Sequence, residues 1–200
     1  QPHSLDTIIC DGKQYRLDPS RQIYLICPAG CRQHTTNGGQ TLIPAEIMEF
    51  LSQEATVAVA ATRDGSRIPH IRRVSGWRAD PDGRMIECFI PAAFSEGLTA
   101  CLEDNGEFAL TLEQIGTLKT YQLKGTYVSS RPVDDADLTS TELVRTRYAQ
   151  SLSQVFGLEE AVCGAYIMPP SVVVRFAVRE IFLQTPGPDA GRRVVPEALQ

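Results

Sequence analysis

Long apolar runs are missing from this chain of 200 residues. The longest, Val57 to Ala61, has the length of a strand and falls far short of the roughly 18 residues a membrane-crossing helix needs. No membrane partner is expected. An excess of cations is missing too: 19 Lys and Arg stand against 24 Asp and Glu, a net charge of −5. A nucleic-acid surface needs a basic stripe to neutralise successive phosphates, and no such stripe exists. Arg72 and Arg73 form the tightest pair, with Arg78 and Arg84 nearby, a pattern suited to a small anionic ligand. A nucleophile elbow, a glycine-rich phosphate loop, a His-Glu-x-x-His pair and a c-type haem motif are all absent. Hydrolase and kinase chemistry therefore have no support.

What is present is the composition of an ordinary globular domain, 42% hydrophobic and 22% charged. The N-terminal Gln-Pro-His-Ser shows neither a basic start nor an apolar segment, so a cytoplasmic location is expected. Residues 1–40 differ in texture from the rest. They hold a hairpin signal from Thr7 to Leu17 with Asp11-Gly12 as its turn, and then the apolar run Ile23 to Ile26. A turn-rich segment ends this extension near the hinge Gly38-Gly39. Cys10, Cys27, Cys31 and His34 in this extension supply soft ligands, but their spacing matches no standard zinc ribbon or ferredoxin run. A metal or cluster site, a Cys27–Cys31 disulfide and ordinary thiols all remain open, and no metal is assigned. Cys88, Cys101 and Cys163 sit in apolar patterns and read as small buried hydrophobes.

The main domain spans 41–191, followed by a loose tail at 192–200. Pro44 opens a helix whose Ile47, Phe50 and Leu51 form one apolar stripe. Strands are expected at Thr56 to Thr62, Ile68 to Arg78 and Arg84 to Ile90, joined by Asp-Gly turns in an antiparallel meander. A short helix from Phe94 to Glu103 stops at Asn105-Gly106. Strands at Glu107 to Glu113 and Leu118 to Ser130 follow. A long helix runs from Asp134 to Phe156, with acids in its first turn and Val144, Tyr148, Leu152, Val155 and Phe156 at helical spacing. A smaller helix covers Leu158 to Tyr166, and the last strand, Ser171 to Leu183, runs into Gln-Thr-Pro-Gly-Pro. Six strands with late helices predict an α+β domain whose sheet closes into a small barrel.

The order of these pieces resembles a known family. It is carried by Thr56 to Val74, by the strand ending Phe89-Ile90-Pro91, by Tyr121-Gln122-Leu123-Lys124-Gly125-Thr126-Tyr127-Val128, and by the long helix. From Leu42 to Gly191 the chain is similar to the pyridoxamine 5′-phosphate oxidase-like, FMN-binding split barrels. The resemblance implies a homodimeric α+β protein with a six-stranded antiparallel split β-barrel and peripheral helices, holding FMN between its subunits. It further implies cofactor contacts from Arg72, Arg73, Val74 and Ser75, from Ser95 in the turn after the third strand, and from Gln122 and Lys124. Guanidinium, hydroxyl and helix N-terminal N–H groups are the donors a phosphate prefers. That turn also carries Glu96, whose carboxylate repels a phosphate. Pro-Gly-Pro replaces the basic C-terminal signature of true pyridoxamine-phosphate oxidases, so that enzyme's substrate is not implied.

The function implied is an FMN-dependent oxidoreductase taking electrons from a small-molecule substrate or from NAD(P)H. The alternatives are a flavin- or haem-binding barrel without turnover, and an electron-transfer flavoprotein with a metal or iron–sulfur site in the extension. Catalytic side chains are not assigned. Arg72 and Arg73 are strand neighbours and point to opposite faces, so at most one of them can face a given ligand. His70 shares a face with Arg72 and reads as a polar residue at the barrel rim, with a flavin contact as the other reading. Trp77 reads as core or interface packing, with stacking on a flavin ring as the other reading, and Gln184 and Thr185 as a strand terminator, with a lining of the substrate side as theirs.

Overall fold

The computed structural model describes residues 7–10, 13–17, 23–26, 42–52 and 56–194; for the first three strands and for residues 92–96 it describes backbone alone. The chain divides into two compact units, Gln1–Thr35 and Thr36–Gln200. In the first, β1 (Thr7–Cys10), β2 (Lys13–Leu17) and β3 (Ile23–Ile26) form an antiparallel sheet in that order. Cys10 faces Lys13 across a two-residue connection, as an Asp-Gly hairpin requires. Cys27, Cys31, His34 and the Cys10 side chain lie outside the described residues.

The second unit begins with α1 (Ala45–Ser52), whose Ile47, Phe50 and Leu51 are buried as their spacing predicts. The strands that follow are β4 (Thr56–Arg63), β5 (Pro69–Arg73), β6 (Gly76–Ala79) and β7 (Met85–Pro91). Helix α2 (Ala92–Asn105) ends at Gly106, whose φ of 70° is the left-handed stop that Asn-Gly supplies. Then come β8 (Glu107–Gln114), β9 (Thr120–Pro132), α3 (Asp135–Phe156), α4 (Glu160–Gly164), β10 (Pro170–Leu183) and β11 (Arg193–Val194).

The larger sheet is antiparallel and runs β5-β4-β8-β9-β10-β7-β6, with β11 added to β10. It holds eight strands where six were expected. The expected strand from Ile68 to Arg78 is broken in two, and the expected loose tail contributes β11 through Ile181↔Val194 and Phe182↔Arg193. The break is part of the architecture. β5 and β6 lie at opposite ends of the sheet order, yet only Val74 and Ser75 separate them. The Val74 N–H donates to the Ala58 carbonyl on β4 at 3.1 Å, and the Ser75 N–H to the Phe89 carbonyl on β7 at 2.8 Å. Two successive amides thus grip two different strands, and the sheet curls into an antiparallel half-barrel.

The inward positions of the curl form one core: Ala58, Ala60, Leu110, Leu112, Leu123, Phe176 and Ile181, joined by Leu98 and Leu102 of α2 and by the α1 stripe. Residues alternate in and out along β4 and β8, as a sheet with one buried face demands. Gly125 marks the tightest contact between β9 and β10. A Cβ there would sit 2.1 Å from the Ala177 carbonyl oxygen, so only glycine lets the strands pair.

Helix α3 departs from its predicted stripe. Val155 and Phe156 are exposed, and the residues it buries are Asp137, Thr141, Tyr148 and Ala149. At the start of the helix the surface beneath it is charged. Asp137, fully buried, accepts from Arg131 at 2.6 and 3.1 Å and from Arg78 at 2.8 Å, and both guanidinium groups also reach Glu87. Asp137 also closes a capping box with Asp134 at the helix start. Burial alone would push its carboxyl up. Hydrogen bonds from Arg131, the Asp134 backbone and Arg78 outweigh that and hold it at about 2. No described helix is long and apolar enough to cross a membrane.

Because the folded-state value lies below the ordinary 3.8, this carboxylate stabilises the fold above pH 4 and loses that effect as pH falls toward 2. Asp137→Asn is expected to cost about 2 kcal/mol at neutral pH. Urea unfolding at several pH values checks it: the gap to wild type should narrow below pH 4 and close near pH 2.

Candidate functional site

The sheet's outer face is the surface on which the predicted cofactor residues can be tested, because antiparallel register fixes which side chains share a face. One row of partners runs Arg73↔Val59↔Thr111↔Gln122↔Phe182↔Arg193 across β5, β4, β8, β9, β10 and β11. The next row runs Ile71↔Ala61↔Ala109↔Lys124↔Glu180. These residues are half-buried or exposed, whereas their neighbours along β4, β8 and β9 are buried. The middle of the face is a floor of short side chains, Val59, Ala61, Ala109 and Thr111. Arg73 stands at one edge, and Gln122, Lys124 and Phe182 stand toward the other.

Arg73 and Gln122 are three strand spacings apart, about 14 Å along the curved sheet. Arg73 Nη1 donates to the Tyr148 hydroxyl at 2.9 Å, and its guanidinium lies 5.3 Å from the centre of that ring. Gln122 Nε2 donates to Thr111 Oγ1 at 3.0 Å, which leaves Oε1 as the acceptor end of the amide. The Lys124 ammonium sits 4.7 Å from the centre of the Phe182 ring. Arg193 pairs with Glu180 at 3.5 Å.

The remaining predicted residues are elsewhere. Arg72 lies opposite Ala60, on the other face of β5 from Arg73, as strand alternation requires. Val74 is a core residue, 2% exposed. Ser75 is buried and its hydroxyl donates to the Met168 carbonyl at 2.5 Å. The side chains of Ser95 and Glu96 lie outside the described residues. His70 is placed opposite Thr62 at the end of the β4–β5 hairpin, with Nε2 3.6 Å from Asp64 Oδ2. Backbone hydrogen bonds led by that from Ile68 hold the Asp64 carboxyl below its usual value. Trp77 packs against the core and donates to the Leu51 carbonyl at 2.9 Å. Thr185 accepts from the Thr120 N–H at 3.0 Å and so closes the end of β9. Sequence reasoning missed Tyr148 as a partner of Arg73, because 75 residues separate them. It also missed Phe182 as the ring beneath Lys124.

A half-barrel of antiparallel strands with a cationic edge and a floor of short side chains defines the class of protein. No protein-family model matches the chain, and no curated protein matches it. Solved structures do. HupZ of Group A Streptococcus is 19% identical, with 75% of this chain and 100% of that one covered at a TM-score of 0.46. A putative pyridoxamine 5′-phosphate oxidase from Lactobacillus delbrueckii is 13% identical, with 70% and 93% covered at 0.43. An FMN-binding protein from Syntrophomonas wolfei is 15% identical, with 68% and 88% covered at 0.40. The neighbours are thus pyridoxamine 5′-phosphate oxidase-like and FMN-binding split-barrel proteins. The half-barrel itself is established by the strand register, and no residue role passes from those proteins to this one.

Ser75→Ala tests the structural role of this serine. Losing the bond to Met168 is expected to lower stability by about 1 kcal/mol in thermal unfolding, with the native fold retained.

Proposed function

We propose that this chain is an FMN-dependent oxidoreductase that works as a homodimer, with the flavin on the outer face of the half-barrel and a second copy covering it. One observation carries the reading: the register sets Arg73, Gln122 and Lys124 on one face around a floor of short side chains. The donor set fits the group. A guanidinium at one edge matches a phosphate, an amide and an ammonium three strands away match the polar rim of a flat ring, and short side chains leave room for it to lie down.

When bound, the flavin supplies the electron-transfer chemistry. The protein's part is to bind and orient. Arg73 holds the phosphate through the N–H groups that Tyr148 leaves over. Gln122, its amide fixed by Thr111, offers Oε1 as an acceptor. Lys124 brings a positive charge to the ring end, where negative charge grows on reduction. Phe182 supplies an apolar wall. Val74 and Ser75 are committed to the fold and stay outside this set. The electron donor is a small reduced molecule such as NADH or NADPH.

Titrating purified full-length protein with FMN tests binding, and one flavin per chain with quenched fluorescence is expected. Arg73→Ala and Lys124→Ala should each weaken it about ten-fold or more, the worth of a charge-assisted hydrogen bond. Anaerobic bleaching of the bound flavin by NADH or NADPH supports the oxidoreductase. A bound flavin that no nicotinamide reduces leaves a binding protein, and failure to bind FMN removes the whole reading.

A further inference from the structure

We infer that Tyr148 is a positioning residue for the anion-holding guanidinium of Arg73, and that it sets the preference of this site for a phosphorylated flavin over an unphosphorylated one. The inference rests on the reading of the outer face as a flavin site, and adds to it a residue from a different element.

Arginine is a costly anion ligand when loose, because ordering its side chain loses up to about 2 kcal/mol of rotamer entropy. Here that freedom is already gone. Nη1 is tied to the Tyr148 hydroxyl at 2.9 Å, and the plane of charge lies over the ring at 5.3 Å, within cation–π range. Nε and Nη2 have no partner among the described residues. One corner of the guanidinium is anchored and the rest is left to a ligand.

The anchor must itself be rigid, and it is. Tyr148 is only 6% exposed. The helix that carries it is clamped at its start by the Arg131 and Arg78 bonds to Asp137. Midway along, α3 reaches the barrel junction: a Cβ on Gly76 would lie 3.6 Å from Val144, in ordinary contact with the helix, while the 2.8 Å it would leave to the Phe89 ring is what requires glycine there. Arg73 is two residues before the Ser75 amide that grips β7. Backbone and helix therefore hold Arg73 from both ends. A tyrosine hydroxyl that only filled a hydrogen bond in the fold would serve stability alone. One that holds an anion ligand in place should matter to the phosphate and not to the ring.

The test is calorimetric titration of full-length wild type, Tyr148→Phe, Arg73→Ala and the double variant with FMN and with riboflavin. Phenylalanine keeps the ring and its packing, and removes the hydroxyl. Wild type should prefer FMN. Tyr148→Phe should weaken FMN roughly ten-fold, the ordering cost returned to the arginine, and leave riboflavin unchanged. In the Arg73→Ala background the same change should have no further effect on the FMN-to-riboflavin ratio. If wild type prefers FMN and Tyr148→Phe keeps that preference, or weakens both flavins alike, the positioning role is overturned while the flavin site stands. If wild type binds both flavins equally, Arg73 is not the phosphate ligand and the inference fails with it. If wild type binds neither, the flavin reading itself is gone.

Discussion

The backbone of Val74 and Ser75 is the constraint on which the domain turns. Successive amides of an extended chain point to opposite sides, and here one reaches β4 and the next reaches β7. A flat sheet cannot satisfy both. The sheet must curl until its two ends share one bent strand, and that curl creates an inside filled by Leu110, Leu112, Leu123 and Ile181. It also creates an outside on which Arg73, Gln122 and Lys124 share a face. With Val74 and Ser75 fixed, Arg73 has a defined side to face and Arg72 must face the other.

The second constraint is electrostatic. Helix α3 meets arginines of the sheet through Asp137 and Tyr148, and its buried positions do not follow the expected apolar stripe. A buried carboxylate is tolerated because two guanidinium groups and a backbone N–H satisfy it. Burial of a single charge would be costly; burial within a network with Glu87 and two half-exposed arginines keeps part of the charge in water. The same docking brings Tyr148 under Arg73. Arg78, Arg131 and Arg73 thus all meet one helix, which ties the packing of α3 to the geometry of the cationic edge.

Much of the fold was legible before any coordinates. Pro44 and the Ile47, Phe50, Leu51 stripe placed α1, Asn105-Gly106 ended α2, and the Asp-Gly turns separated β4, β5 and β7. All of these are local: a turn dipeptide or a periodic stripe acts within a few residues. The misreadings were non-local. Nothing in Ile68 to Arg78 announces that its halves pair with strands at opposite ends of a sheet. Nothing in α3 announces that arginines, not leucines, lie beneath it. The apolar spacing of Val155 and Phe156 was real, yet both side chains are exposed among the described residues. The tail looked loose because Arg193 and Val194 become a strand only when β10 offers an edge.

For the candidate site the division is the same. Residue types and alternation were settled by the sequence alone: a strand bearing adjacent arginines shows one on each face, and a strand reading Gln-Leu-Lys shows its two polar residues together, because side chains on an extended chain repeat every second residue. Which arginine joins which glutamine was decided only by register, since strands far apart in the chain can slide by one residue and exchange faces entirely. Tertiary structure also committed Ser75 to Met168 and Arg73 to Tyr148. Those partners lie 93 and 75 residues away, a separation over which packing decides what meets what and local chemistry has no say.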